Sequence, residues 1–199
     1  MLQDNIFNNE LEKMRTFIAV ELPEDIKRKI EEVQNPLKKT DTYVSWVKPK
    51  NVHLTLKFLG EVEENRIEDV FYGTEKALKG AKSFTLSLKD MGGFPNLQRP
   101  KVIWVGVDKG EKELAVMQKD IEEELLRVGY PKEGRAFSPH LTIGRVKSAR
   151  NIEKLVALIE KTTFQTQEVK IDEAVVMKSQ LHPQGAIYTP LRKIKLLNS

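Results

Sequence analysis

The chain has 199 residues, 40% hydrophobic and 31% charged, which is enough apolar material for one globular domain with a core and argues against extensive disorder. Its 33 basic and 29 acidic residues leave a formal charge of +4, a mild excess that permits an anionic partner such as RNA without requiring one. Because there is no cysteine, disulfides, thiolate nucleophiles and Cys-based metal sites are all excluded.

In chain order, the first ten residues lack the basic start and apolar stretch of a signal peptide, and no later run approaches the roughly 20 apolar residues that span a bilayer. A soluble cytoplasmic protein without membrane contact is expected. Arg15 to Glu21 reads as a short buried strand. Pro23 suits the opening turn of a helix whose apolar stripe is Ile26, Ile30, Val33 and Leu37. The next strand carries His53-Leu54-Thr55-Leu56, and Ile67, Val70, Phe71, Ala77 and Leu78 mark a second helix before the strand Phe84 to Leu88. Gly92 to Pro100 is turn-rich and predicts a loop. A strand over Val102 to Asp108 follows, then a helix with Leu114, Met117, Ile121, Leu125 and Val128 ending before Gly129, and a loop over Tyr130 to Arg135. His140-Leu141-Thr142-Ile143 begins another strand, Ile152, Leu155, Val156 and Ile159 another helix, and Val169 to Met177 a closing strand.

The order strand, helix, His-x-Thr strand, helix, strand therefore occurs twice. An 87-residue offset carries His53 onto His140, and an offset larger by one aligns the preceding helices. The expected fold is α+β, bilobal and internally duplicated, with a pseudo-twofold axis bringing His53 and His140 together in a central cleft. Side chains alternate along a strand, so His53 and Thr55 share one face while Leu54 and Leu56 enter a core, and His140 and Thr142 repeat the arrangement. An imidazole titrating near neutrality beside a hydroxyl donor suits proton transfer and oxyanion binding, and two such units can supply an acid and a base.

These segments are familiar in combination. Met14-Arg-Thr-Phe-Ile-Ala-Val-Glu-Leu-Pro23, Trp46 to Gly60 around the first motif, Gly93-Phe-Pro-Asn, and Phe137 to Arg145 around the second closely resemble the two-histidine (2H) phosphoesterases. The resemblance is to the LigT-like RNA 2′,3′-cyclic phosphodiesterases and runs from Met14 to the closing Gly185-Ala-Ile-Tyr-Thr-Pro-Leu. It implies two antiparallel sheets lining the cleft with helices outside, and hydrolysis of an RNA 2′,3′-cyclic phosphate end to a 2′-phosphomonoester with no metal or cofactor. It further implies His53 as general acid and His140 as general base, Thr55 and Thr142 as phosphate ligands, Phe58 stacking on a base and Arg145 reaching phosphate. A 2′-5′ RNA ligase, another cyclic or 2′-5′ nucleotide phosphodiesterase, and a non-catalytic RNA-end binding module are the alternatives. The protein is expected to act as a monomer on RNA. Met14 matches the usual start of such chains, so residues 1–13 are expected to be a flexible extension and residues 14–199 the domain.

Strict alternation sets Phe58 and Arg145 on the face opposite their histidines, so the assignment requires each strand to twist or bulge, which Gly144 would permit; otherwise Phe58 is core and Arg145 a solvated surface charge. The same alternation places Lys57 on the histidine face, where it could steer anions but is read first as a solvated lysine. Trp46 is open to two readings, a stacking platform for a base or plain packing. His182, in a Leu-His-Pro-Gln-Gly turn, is read as structural or incidental.

Overall fold

The computed structural model describes residues 12–183 and 185–198. Among these residues there are nine strands and four α-helices, most of them in the duplicated order. The first half contributes β1 (Lys13–Glu21), α1 (Glu24–Lys38), the short β2 (Val44–Trp46), β3 (His53–Glu63), α2 (Ile67–Leu78) and β4 (Phe84–Phe94). The second contributes β5 (Val102–Lys109), α3 (Glu111–Arg127), β6 (His140–Val146), α4 (Ile152–Lys161), β7 (Val169–Ile171), β8 (Glu173–Gln180) and β9 (Ile187–Lys195). The four helices bury the expected stripes, among them Ile26, Ile30 and Leu37 in α1 and Leu114, Ile121 and Leu125 in α3. No helix among the described residues is long and apolar enough to cross a membrane.

The sheet order is β7-β4-β5-β6-β3-β1-β8-β9, with β2 added on β6, and every pairing between these strands is antiparallel. The order is close to a palindrome under the duplication: β3, β1 and β8 in one lobe correspond to β6, β5 and β4 in the other. Each half therefore sends its last long strand into the opposite lobe. The crossing splits the run expected as one strand over Val169 to Met177. Its first part, β7, pairs with β4, and after Asp172 its second part, β8, pairs with β1. The helices cross in the same way, since α1 bonds to β6 through Gln34 and α3 to β3 through Glu122.

The two lobes meet at one registered pair, Leu54 opposite Leu141. These residues are equivalent under the 87-residue offset, so the pseudo-twofold axis passes through them. Both are buried, as are Leu56 and Ile143, leaving His53, Thr55, His140 and Thr142 on the open face as expected.

Sequence and structure part in three other places. The loop expected over Gly92 to Pro100 begins later, because β4 continues through Gly92 to Phe94 against β5. Gly92 allows this: a Cβ there would stand 2.2 Å from the Trp104 ring. The strands β2 and β9 are not among the expected elements; Pro190 lies within β9, the edge strand, where a missing N–H is tolerated.

The third concerns Lys57, which is not solvated. The β1–β3 register passes from Ile18 opposite Lys57 to Ala19 opposite Thr55, so Leu56 is an extra, bulged residue. Leu56 and Lys57 consequently both point toward the helices, where Lys57 Nζ donates to Glu122 Oε2 at 2.6 Å and to the Pro131 carbonyl at 2.8 Å. Both charges are almost fully buried. Removing one member of a buried pair strands the other charge, which costs far more than replacing both. Lys57→Met should accordingly destabilise the fold by about 3–5 kcal/mol in urea unfolding, and adding Glu122→Leu should recover a substantial part of that loss; a single variant as stable as the parent would contradict this account of the pair.

Candidate active site

The bulge at Leu56 also decides the register of Phe58. Having skipped one position, β3 returns Phe58 to the open face, opposite Phe17 and 40% exposed. In β6 the partners pass from Ile103 opposite Gly144 to Trp104 opposite Thr142, leaving Ile143 as the extra residue at the position equivalent to Leu56. The second bulge turns Gly144 inward and Arg145 outward. Gly144 is needed for a close approach, since a Cβ would meet Val44 Cγ1 at 2.8 Å and the Trp46 ring at 3.0 Å. Trp46 thus packs over Gly144 against the core, in agreement with its packing reading. Thr55, Phe58, Thr142 and Arg145 join His53 and His140 on one face, while His182 lies outside this group, at a turn where its carbonyl accepts from the Gly185 N–H.

The two imidazoles are held alike. His53 Nδ1 lies 2.8 Å from the Asn51 carbonyl, and His140 Nδ1 lies 2.7 Å from the Ser138 carbonyl, each acceptor two residues upstream. A carbonyl can only accept, so Nδ1 carries the proton in both rings and Nε2 is the nitrogen left to exchange one. The neighbouring hydroxyls differ from the structural threonines. Thr74 and Thr162 donate to the carbonyls of Val70 and Leu158, whereas the Thr55 and Thr142 hydroxyls have no protein partner among the described residues.

Each histidine also sits against aromatic rings that the sequence reading did not single out. Phe17 stacks on His53 with centroids 4.7 Å apart and Tyr188 meets it edge-on at 5.2 Å. Phe94 meets His140 edge-on at 4.9 Å and tilts against Trp104. Phe17 and Trp104 are equivalent under the same offset as the histidines, a signal present in the sequence. Phe17, Ala19, Val175, Met177 and Tyr188 form a small apolar cluster separate from the main core. A cavity of about 190 Å³ opens beside it, lined by His53, Phe17, Tyr188, Lys50, Asn51 and Glu21.

Burial among these rings lowers the His53 pKa from its ordinary value, and the positive charge of Arg145 acts in the same direction; the hydrogen bond to the Asn51 carbonyl opposes both and is outweighed by burial. Burial raises the Tyr188 phenol, with Arg145 and Arg15 pulling the other way, so Tyr188 is a neutral hydroxyl at physiological pH. Two imidazoles on one face, two uncommitted hydroxyls and a guanidinium free of carboxylates among the described residues can relay protons and stabilise a phosphoryl group.

The family model described as LigT like Phosphoesterase matches residues 20–104 and again residues 105–188, close to the internal duplication. An RNA 2′,3′-cyclic phosphodiesterase of Methanothermobacter thermautotrophicus is 35% identical over 185 residues, covering 92% of this chain and all of that protein. One of Thermotoga maritima is 36% identical, covering 89% of this chain and 93% of its own length. Among solved structures, E. coli LigT complexed with 3′-AMP aligns with a TM-score of 0.74 at 25% identity, over 93% of this chain and 99% of that one. TT0787 of Thermus thermophilus aligns at 0.78 and 24% identity, over 93% and 99%, a likeness of fold.

A lowered folded pKa means that protonating His53 costs the folded state. Its contribution to stability is complete above the unfolded value near 6.5 and is lost as pH falls through the lower folded value. NMR titration should place the His53 midpoint below 6.5, and Tyr188→Ser, by admitting water, should raise it; a His53 midpoint at or above the ordinary value would refute the burial argument.

Proposed function

Because the chain belongs to the LigT-like phosphoesterase family and is a phosphodiesterase, we propose that it hydrolyses RNA 2′,3′-cyclic phosphate ends to 2′-phosphomonoesters by acid–base catalysis between His53 and His140, without a metal. The observation that carries this reading is the matched presentation of the two imidazoles, each fixed through Nδ1 on a carbonyl two residues upstream with its Thr on the same open face. The relatives' names supply the substrate class.

In this mechanism water attacks phosphorus on the side away from the 3′ oxygen. His140 Nε2 takes the water proton as the new P–O bond forms, the P–O3′ bond breaks, and His53 Nε2 protonates the departing 3′ oxygen. The phosphate stays on O2′. Charge accumulating on the non-bridging oxygens is met by the Thr55 and Thr142 hydroxyls and by Arg145, and Phe58 supplies a stacking face for a base. The acid and base roles follow the family resemblance.

Burial lowers the His53 pKa, which bears on the acid role in two opposed ways. A more acidic imidazolium transfers its proton more readily, though less of it is protonated at neutral pH. The negative phosphate favours that protonated form once substrate is bound.

Either histidine replaced by alanine should lower turnover on the order of 10² to 10⁴-fold on a short RNA with a 2′,3′-cyclic phosphate, with chelator present, and the double variant should be little worse than the singles. Phosphorus NMR should show a 2′-phosphate end forming; a cyclic phosphate that survives tight binding would overturn the proposal. The alkaline limb of kcat/KM, which reports loss of the proton that the acid must carry, should vanish in the residual activity of His53→Ala. A limb unchanged in that variant would remove His53 from the acid role.

A further inference from the structure

Among the described residues three arginines lie over aromatic rings, and they do not share the same surroundings. Arg192 lies 4.5 Å from the Phe71 centroid and is ion-paired to Glu75 at 2.8 Å. Arg66 lies 5.1 Å from the Tyr130 centroid and is ion-paired to Asp69 at 3.3 Å. Arg15 lies 4.5 Å from the Phe58 centroid, yet among the described residues no carboxylate is within ion-pair distance, not even Glu61, its register partner on β3. The first two stacks are closed structural units, whereas the third leaves a cation available to a ligand.

Its position gives that cation a direction. Arg15 shares the open face of β1 with Phe17, the ring beneath His53, and stands two residues further along, about 7 Å at strand spacing. That is comparable with one nucleotide step away from the reacting phosphate. A guanidinium stacked on a ring keeps its in-plane N–H donors free for a planar or anionic acceptor. The duplication supplies the contrast: the counterpart of Arg15 is Val102, whose register partner is Arg145, the counterpart of Phe58. Each lobe therefore offers one guanidinium, but on different strands and with an aromatic partner on one side only. A scaffold of near twofold symmetry thereby acquires the polarity needed to accept a directional strand.

We infer that Arg15 binds the phosphodiester immediately 5′ to the terminal nucleotide, which makes the cleft a site for the end of an RNA strand rather than for a single cyclic nucleotide. This rests on the reading of the cleft as an RNA-end phosphodiesterase. Phe58 holds a base on the ring face that Arg15 leaves uncovered, and Arg15 is a specificity determinant, remote from the transferred protons.

The test compares a cyclic mononucleotide, adenosine 2′,3′-cyclic phosphate, with a tetranucleotide ending in the same group, using the parent protein, Arg15→Gln and Arg15→Lys. Arg15→Gln should reduce the preference for the tetranucleotide, as a ratio of kcat/KM values, by about tenfold, chiefly through KM, in line with loss of one charge-assisted phosphate contact. The slope of log affinity against log salt for the tetranucleotide should fall by about 0.7 in Arg15→Gln and be restored in Arg15→Lys. An unchanged ratio together with an unchanged slope, or equal losses on both substrates, would overturn the inference. If the parent protein turned over neither substrate, the phosphodiesterase reading would fail first. Fluorescence anisotropy with the same labelled tetranucleotide would then still decide Arg15 through the salt slope.

Discussion

The site depends on a single contact between two strands. Leu54 and Leu141, each the middle residue of a His-x-Thr element, face each other across β3 and β6 at the only registered pair joining the lobes among the described residues. Because they are equivalent positions, the local twofold of an antiparallel pair coincides with the twofold of the duplicated chain. The alternation that buries the leucines lifts both histidines and both threonines to the opposite face. A slip of one residue would exchange the two faces, sending the histidines into the core and the leucines into the cleft. The core that holds Leu54 and Leu141 is thus also what presents the histidines.

A second layer of organisation is built on the bulges. Leu56 and Ile143 each insert an extra residue at matching places, so Phe58 and Arg145 rejoin the open face. Buried polar groups from the opposite half anchor both strands. Gln34 of α1 donates to the carbonyls of Val47 and Ile143 at 2.9 Å, and Glu122 of α3, its counterpart under the helix offset, takes the charge of Lys57. One lobe uses a neutral amide and the other an ion pair for the same purpose. The swapped helices make each bulge a junction between the two halves, so neither lobe can form its share of the site alone.

Near symmetry in the backbone coexists with asymmetry in the environment. His53 packs against Phe17 and Tyr188, with a lowered pKa, and its lobe presents an aromatic platform and Arg15. His140 meets Phe94, and its lobe presents Arg145 without a ring at the matching place. Two chemically identical side chains are thereby placed in unlike surroundings, the usual condition for one imidazole to give a proton while another accepts one.

Much of this was legible in the sequence. Repetition of His53-x-Thr55 as His140-x-Thr142, the helix stripes through Ile26 and Leu114, and the need for bulges before Phe58 and Arg145 follow from spacing, since periodicity reports directly on which residues share a face. The sequence alone also established the duplication and, through the family motifs, the chemistry expected of the pair. What it left undecided was set by partners distant in the chain. Lys57 was misplaced because a bulge depends on the neighbouring strand, and its burial depends on Glu122, 65 residues away. Tyr188 reaches His53 because Pro190 tolerates an edge strand that local propensity argues against. The exchange of β4, β8 and the helices between lobes has no local signature, because it is decided by which faces bury best against each other. The local pattern therefore determined which side chains face the cleft, and tertiary packing determined what each of them meets there.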